Sequence, residues 1–202
     1  MKRSPLFNEI AQLGPSFVGI QGWEVPNEFA SAAEEHRAVR ERVGLLDWST
    51  TGEFEIAGPD ALDVVQGLIV NDASRMPVNR VLYTSILNED GGMMSDITVY
   101  RLAEDRYMLM TAWGSNAAGE RPEYELLLEH SRGRNAWVFD ASPGVCLVAL
   151  QGPNSRDLLS ELTDAQLDGL AYMWALPARI AGIRALVGRT GYTGELGFEI
   201  LV

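Results

Sequence analysis

Val81-Leu82-Tyr83-Thr84-Ser85-Ile86-Leu87, then Asn88-Glu89-Asp90-Gly91-Gly92, then Met93-Met94-Ser95-Asp96-Ile97-Thr98-Val99-Tyr100 is the stretch that decides the fold. β-Branched and aromatic residues fill both flanks. The middle carries Asp-Gly and Gly-Gly, which supply the positive φ angles of a tight turn. The stretch predicts a β-hairpin, and Arg106 to Thr111 continues the meander after a turn at Ala103-Glu104-Asp105. Upstream, Glu53-Phe54-Glu55-Ile56 alternates as a half-buried strand does, and residues 17–20 read as a strand leading into a loop. Helices are predicted over 30–43, stopping at Gly44, over 124–130, and from Gly58-Pro59 to about Val70 on the spacing of Leu62, Val65 and Leu68. The same grammar returns at 148–150, Gly152-Pro153 and Leu158, Leu159, Leu162. That is either an internal repeat or simply a common way to start a helix. With strands also at 136–139 and 197–202, the pattern implies an α+β fold of antiparallel sheets flanked by helices, not a doubly wound parallel sheet.

Composition narrows function. The 202 residues are 47% hydrophobic and 22% charged, ordinary for a globular protein, and 16 Lys+Arg against 28 Asp+Glu give a net charge of −12. Nucleic acid and anionic membranes reward clustered Lys and Arg, so neither is the expected partner. One cysteine, Cys146, and two histidines, His36 and His130, leave no disulfide framework and no metal centre to expect. Cys146 lies in the apolar run Val145-Cys146-Leu147-Val148 and reads as a core residue, not a nucleophile. Met1-Lys2-Arg3-Ser4-Pro5 has no apolar run behind it, and no stretch nears the roughly 18 apolar residues that span a bilayer, so a cytoplasmic protein is expected. The alternation at 197–202 stops without a polar tail, which reads as a chain cut short.

Two places could carry chemistry. Asp is depleted in strand interiors, yet Asp96 sits in one, and period two puts Met94, Asp96, Thr98 and Tyr100 on a single face. A turn over Glu89-Asp90 sets Tyr83 opposite Asp96, and a turn over Asp90-Gly91 sets it opposite Thr98. Either register brings Tyr83 to the Asp96 face. A carboxylate with two tyrosines suits a flat, nitrogen-rich ring; the alternative is an edge-strand aspartate facing water. The second place is Arg189-Thr190-Gly191-Tyr192-Thr193-Gly194-Glu195-Leu196-Gly197-Phe198-Glu199, whose glycines would admit a close ligand or merely make a turn.

Taken together these stretches resemble the glycine cleavage T-protein (aminomethyltransferase) family and its folate-binding relatives. The resemblance is carried by Gly22-Trp23-Glu24-Val25-Pro26, Val39-Arg40-Glu41-Arg42-Val43-Gly44, Gly52-Glu53, Gly58-Pro59, Asn71-Asp72, 87–92, Val99-Tyr100-Arg101-Leu102, Leu150-Gln151-Gly152-Pro153 and 189–195. It implies two intertwined domains, residues 1–50 with 140–202 and residues 51–139, with the family's C-terminal barrel domain absent. It implies tetrahydrofolate as cofactor, a lipoylated carrier protein as partner, and transfer of a methylene from an aminomethyl-lipoyl group to folate with release of ammonia. Asp96 matches the family's catalytic aspartate, Tyr83, Tyr100 and Tyr192 its pocket aromatics, and Glu199 the glutamate that holds the pterin. The chain departs from the family at Trp48-Ser49-Thr50-Thr51, where a His-Met pair is usual, at Ser95 in place of a first aspartate, and in a longer segment over 111–119. Those departures bear on the one-carbon donor: a folate-dependent demethylase or a non-catalytic folate-binding module are the other readings.

Overall fold

The computed structural model describes residues 1–116 and 118–202; Ala117, in the segment that departs from the family, lies outside the described residues. In chain order the elements begin with α1 (Phe7–Gln12), β1 (Ser16–Ile20), β2 (Trp23–Glu28), α2 (Ala32–Glu41) and β3 (Gly44–Asp47). Next come β4 (Gly52–Ala57), α3 (Ala61–Gln66), β5 (Val81–Leu87), β6 (Met93–Ala103), β7 (Arg106–Thr111), α4 (Pro122–Ser131) and β8 (Trp137–Asp140). Last are β9 (Leu147–Gln151), α5 (Ser155–Ser160), β10 (Ala175–Ile180), β11 (Ile183–Gly188) and β12 (Gly197–Leu201). The fold is α+β with antiparallel sheets.

The chain forms two units, Met1–Thr50 with Val145–Val202 and Thr51–Gly144. The second boundary falls after Gly144. The reason is local: Ala141 N donates to Glu53 O at 2.8 Å and Glu53 N donates to Ser142 Oγ at 2.9 Å, tying these residues to β4.

The inserted unit is a sheet of order β5-β6-β7-β4-β8. One face carries Ile97, Val99, Tyr107, Leu109, Phe54 and Ile56, packed with Val64 and Val65 of α3 and Leu127 of α4. The other unit repeats the plan with the order β10-β11-β12-β9-β3, its core formed by Leu150, Phe198, Ile200 and Val187 with Leu159 of α5. The fifth strand is recruited from opposite sides of the sequence, β8 after its partners and β3 before them.

The repeat extends to single hydrogen bonds. Gly58 N donates to Asp105 O at 2.9 Å and Gly152 N to Leu196 O at 2.7 Å, in each case the residue just before the pairing strand. Both glycines have φ near +130° (126° and 129°), and a Cβ there would lie 2.6 Å from the carbonyls of Asn135 and Arg42 respectively. Only glycine fits so close an approach. Arg101 reaches the carbonyl of Met76 and Arg189 that of Leu170, each the residue closing a short 3-10 turn. Of the two sequence readings of the Gly-Pro motifs, the internal repeat is therefore what the structure contains.

Several expectations need correction. Gly44 does not cap α2; it opens β3, and its lack of a Cβ accommodates Val39. Helix α2 starts two residues later than 30, at a cap where Ser31 Oγ accepts from Glu34 N at 3.2 Å. Helix α3 ends at Gln66, because the Gln66 side chain bonds Asn71 O and Ala73 N and turns the chain away. The loop expected after 17–20 is instead β2, the second strand of a hairpin with β1. Among the described residues no helix is long and apolar enough to cross a membrane.

Candidate functional site

Strands β5 and β6 pair with Tyr83 opposite Thr98 and Ser85 opposite Asp96. The turn closes with Asn88 opposite Gly92, and a β-bulge that leaves Met94 unpaired then shifts the strands by one residue into this register. Asn88 Oδ1 accepts from Gly92 N at 2.7 Å and Asn88 N donates to Gly92 O at 2.9 Å, with Gly91 at φ +79°. Tyr83 then lies diagonal to Asp96, and its hydroxyl donates to Asp96 Oδ2 at 2.8 Å. Asp96 pairs with Ser85 of β5 and lies one residue beyond the end of the β6–β7 pairing, yet it does not simply face water; it is half-buried. Tyr83 is 58% exposed and Tyr100, on the same face, is 1% exposed. The phenol fixes one carboxylate oxygen, while Oδ1 has no protein donor among the described residues. The arrangement offers a ligand an oriented acceptor beside an exposed aromatic ring.

This face is the one without helices. Ile97 and Val99 point into the core between them, whereas Asp96, Thr98 and Tyr100 share the opposite side with Met108, Met110 and Glu53 across the sheet. Glu53 is the residue that sequence reasoning missed. Alternation with Phe54 and Ile56 assigns it to a polar face, yet it is 2% exposed. Thr51 Oγ1 donates to Glu53 Oε1 at 2.5 Å. Burial pushes its pKa from 4.5 to about 7; Asp140 adds to the shift, and the hydrogen bonds from Thr51 and Ser142 oppose it. Its neighbour Glu55, on the same strand and face, instead forms an ion pair with Arg106.

The glycine-rich segment belongs to the other unit, between β11 and β12. Two of its glycines, Gly191 and Gly197, are explained by Gln151, which is fully buried, and the third, Gly194, by a φ of +81°. A Cβ on Gly191 would lie 2.0 Å from the Gln151 side chain and one on Gly197 2.3 Å from it. Gln151 Nε2 donates to Thr190 O at 3.2 Å and Thr193 Oγ1 donates to Gln151 Oε1 at 2.9 Å, so the loop wraps a buried post. Arg40 pairs with Glu195 at 2.9 Å outside it. At the loop tip Tyr192 is 86% exposed and lines a groove of about 540 Å³ with Phe29, His36, Val39 and Leu45. Glu199 is 6% exposed on β12. Its strand neighbours Phe198 and Ile200 enter the core, so Glu199 occupies the opposite, helix-free face, between Ala149 and Gly188. It does not line the Tyr192 groove. The five candidate residues thus fall into two sets, Tyr83, Asp96 and Tyr100 in one unit and Tyr192 and Glu199 in the other.

Residues 6–202 match the family described as the GCVT N-terminal domain. The chain belongs to this family. It is 38% identical over 202 residues to an aminomethyltransferase of a Thermotoga species (100% of this chain, 54% of the relative) and 41% identical to that of Streptomyces coelicolor (100% and 53%). The chain therefore spans about half the length of the curated relatives it matches. A crystal structure of glycine cleavage system aminomethyltransferase T from Bartonella henselae superposes with a TM-score of 0.88 at 28% identity, covering 100% of this chain and 53% of that one. A heterotetrameric sarcosine oxidase from Corynebacterium sp. U-96 (TM-score 0.58, 22% identity, 85% and 82% coverage) shares the fold alone. Within the GCVT family domain, Asp96, Tyr83 and Arg101 stand on the central hairpin, and Gln151 and Arg189 on the repeat that mirrors it.

Proposed function

We propose that this chain binds tetrahydrofolate and acts in one-carbon transfer of the aminomethyltransferase kind. In that reaction two folate nitrogens take over a methylene carried as an aminomethyl group on the lipoyl arm of a carrier protein: the C–N and C–S bonds break, ammonia and the dihydrolipoyl thiol leave with the two folate N–H protons, and methylene-tetrahydrofolate forms. The observation that carries the reading is the Tyr83–Asp96 hydrogen bond on the helix-free face of the hairpin. It holds a carboxylate in one orientation, where it can accept from an N–H of the pterin and stabilise positive charge developing at the reacting carbon and nitrogen. Tyr83 supplies the phenol that orients Asp96 and an exposed ring for stacking, Tyr100 a buried wall of the same face, and Tyr192 and Glu199 further aromatic and acceptor groups. Kinship with proteins named aminomethyltransferase supports the donor assignment.

A second reading keeps folate as acceptor and takes the carbon from a small methylated amine or ether. It is favoured by Thr51, which stands where the family has an apolar residue and whose hydroxyl is held by Glu53. One assay separates the two. With tetrahydrofolate and an aminomethyl-lipoyl carrier, wild-type protein releases ammonia and Asp96→Asn protein does so at least tenfold more slowly, as expected for removal of an oriented charge. Ammonia release unaffected by the substitution overturns the role of Asp96. Absence of ammonia release, with an intact methyl group transferred from a methylated amine to give methyl-tetrahydrofolate and the demethylated amine, favours the second reading.

A further inference from the structure

Two places where the chain departs from its family, Thr51 and the segment after β7, are brought into contact. Gly52 pairs with Thr111, and Thr111 with Ile97, so the three form one rank across the sheet. Thr51 and Asp96 each lie one residue beyond that rank at the same end. The continuation of β7, residues 112–116, emerges between them, roughly two strand spacings of about 5 Å separating Thr51 from Asp96. Gly114 is seated on this turn: its Cα lies 2.9 Å from where a Cβ on Gly52 would be, and a Cβ on Gly114 would lie 3.0 Å from Thr51 O. Thr111 Oγ1 donates to Trp113 O at 2.8 Å and secures the start of the segment.

Beneath this contact stands Glu53. It accepts the Thr51 hydroxyl at 2.5 Å, its backbone N–H donates to Ser142 Oγ, and its carbonyl accepts from Ala141 N. The charged groups near it are Asp140, which is paired with Arg121, and the Glu55–Arg106 pair farther along the same face of β4. A buried residue held twice through its backbone and once through its carboxyl acts as a fixed anchor, because moving it would strand polar groups away from water. We propose that Glu53 is a positioning residue for the Asp96 face: through the Thr51 hydroxyl it sets the placement of the 112–116 segment beside Asp96, and with it the room left for tetrahydrofolate on that face. The consequence for folate binding rests on the folate reading; the anchoring itself does not.

Loss of the Glu53 proton places a second negative charge near Asp140, and the strain falls on Thr51 and the segment seated on it. The test is an NMR pH titration of the Gly114 and Ser115 amides in wild type and Glu53→Gln, which keeps the acceptor but cannot ionise. Alongside it, tetrahydrofolate affinity is measured for wild type, Glu53→Gln, Thr51→Val and Thr51→Ser. The expected result is amide titration with a midpoint near 7 in wild type that vanishes in Glu53→Gln. Affinity should fall about fivefold in Thr51→Val, the loss of one hydrogen bond, and recover in Thr51→Ser. In wild type it should change across the same pH range, and in Glu53→Gln it should not. Amides that do not titrate, or titrate alike in both proteins, overturn the anchoring. Equal affinity of Thr51→Val and wild type at every pH overturns its consequence for the site. If wild type binds no tetrahydrofolate, the folate reading fails, while the amide titration still decides the anchor.

Discussion

Replacing Glu53 by Gln should stabilise the protein, and the gain should appear only as pH rises. Glu53 is 2% exposed, and its pKa is raised from 4.5 to about 7, chiefly by burial. An unfolded chain loses this proton near pH 4.5 and the folded chain keeps it to about 7. Between those values the folded state binds more protons, so stability falls as pH rises, by about 1.4 kcal/mol per unit. The window spans about 2.5 units, so charging Glu53 costs the folded state about 3 kcal/mol above pH 7. Below pH 4.5 the side chain is neutral in both states and contributes no such penalty. Gln carries no charge and still accepts from Thr51. Urea unfolding of both proteins at a series of pH values should therefore give similar stabilities near pH 4.5 and a variant more stable by about 3 kcal/mol near pH 8. A stability difference that does not change with pH would refute the reasoning, since Glu53 would then ionise as an exposed carboxyl does.

Three further predictions follow from the geometry. Gly191→Ala puts a Cβ 2.0 Å from the buried Gln151 side chain and should cost about 1–3 kcal/mol in urea unfolding, as overpacking does. Gly152→Ala combines a φ of +129° with a Cβ 2.6 Å from Arg42 O and should cost more than Gly14→Ala, where φ is +74° and nothing lies within 4 Å; thermal unfolding of the pair measures the difference. Tyr83→Phe removes the donor to Asp96 from a side chain that is 58% exposed. It should leave the melting temperature within a few degrees of wild type and weaken tetrahydrofolate binding about fivefold by calorimetry.

What was legible in the sequence was what local patterning controls. The 81–100 hairpin, the strand Arg106–Thr111 and both Gly-Pro helix starts are short-range statements, and the structure contains each of them. The hairpin's register is not legible from turn residues alone, because a bulge that leaves Met94 unpaired sits between the Asn88–Gly92 closure and the Tyr83–Thr98 pair. Strands β10 and β11 went unread for two reasons. Pro177 interrupts the first, tolerated because β10 is at the sheet edge, and Ala181 takes a positive φ of 48° in the turn between them. At the site, period two correctly gathered Asp96, Tyr83 and Tyr100 on one face. It misassigned Glu53, since alternation tells which face a side chain takes and not whether that face is wet. Gln151 is invisible in the sequence as the reason for Gly191 and Gly197, because the contact joins residues about forty positions apart. Arg189 looked like part of a ligand loop until the repeat paired it with Arg101 as a brace on a 3-10 turn.

The measurement that bears most directly on the folate reading is an anaerobic calorimetric titration of tetrahydrofolate into wild-type and Asp96→Asn protein. The account predicts saturable binding by wild type and a Kd at least tenfold weaker in Asp96→Asn, the loss of a hydrogen bond to a charged acceptor. Binding of equal strength by both proteins, or no binding by wild type, would contradict it.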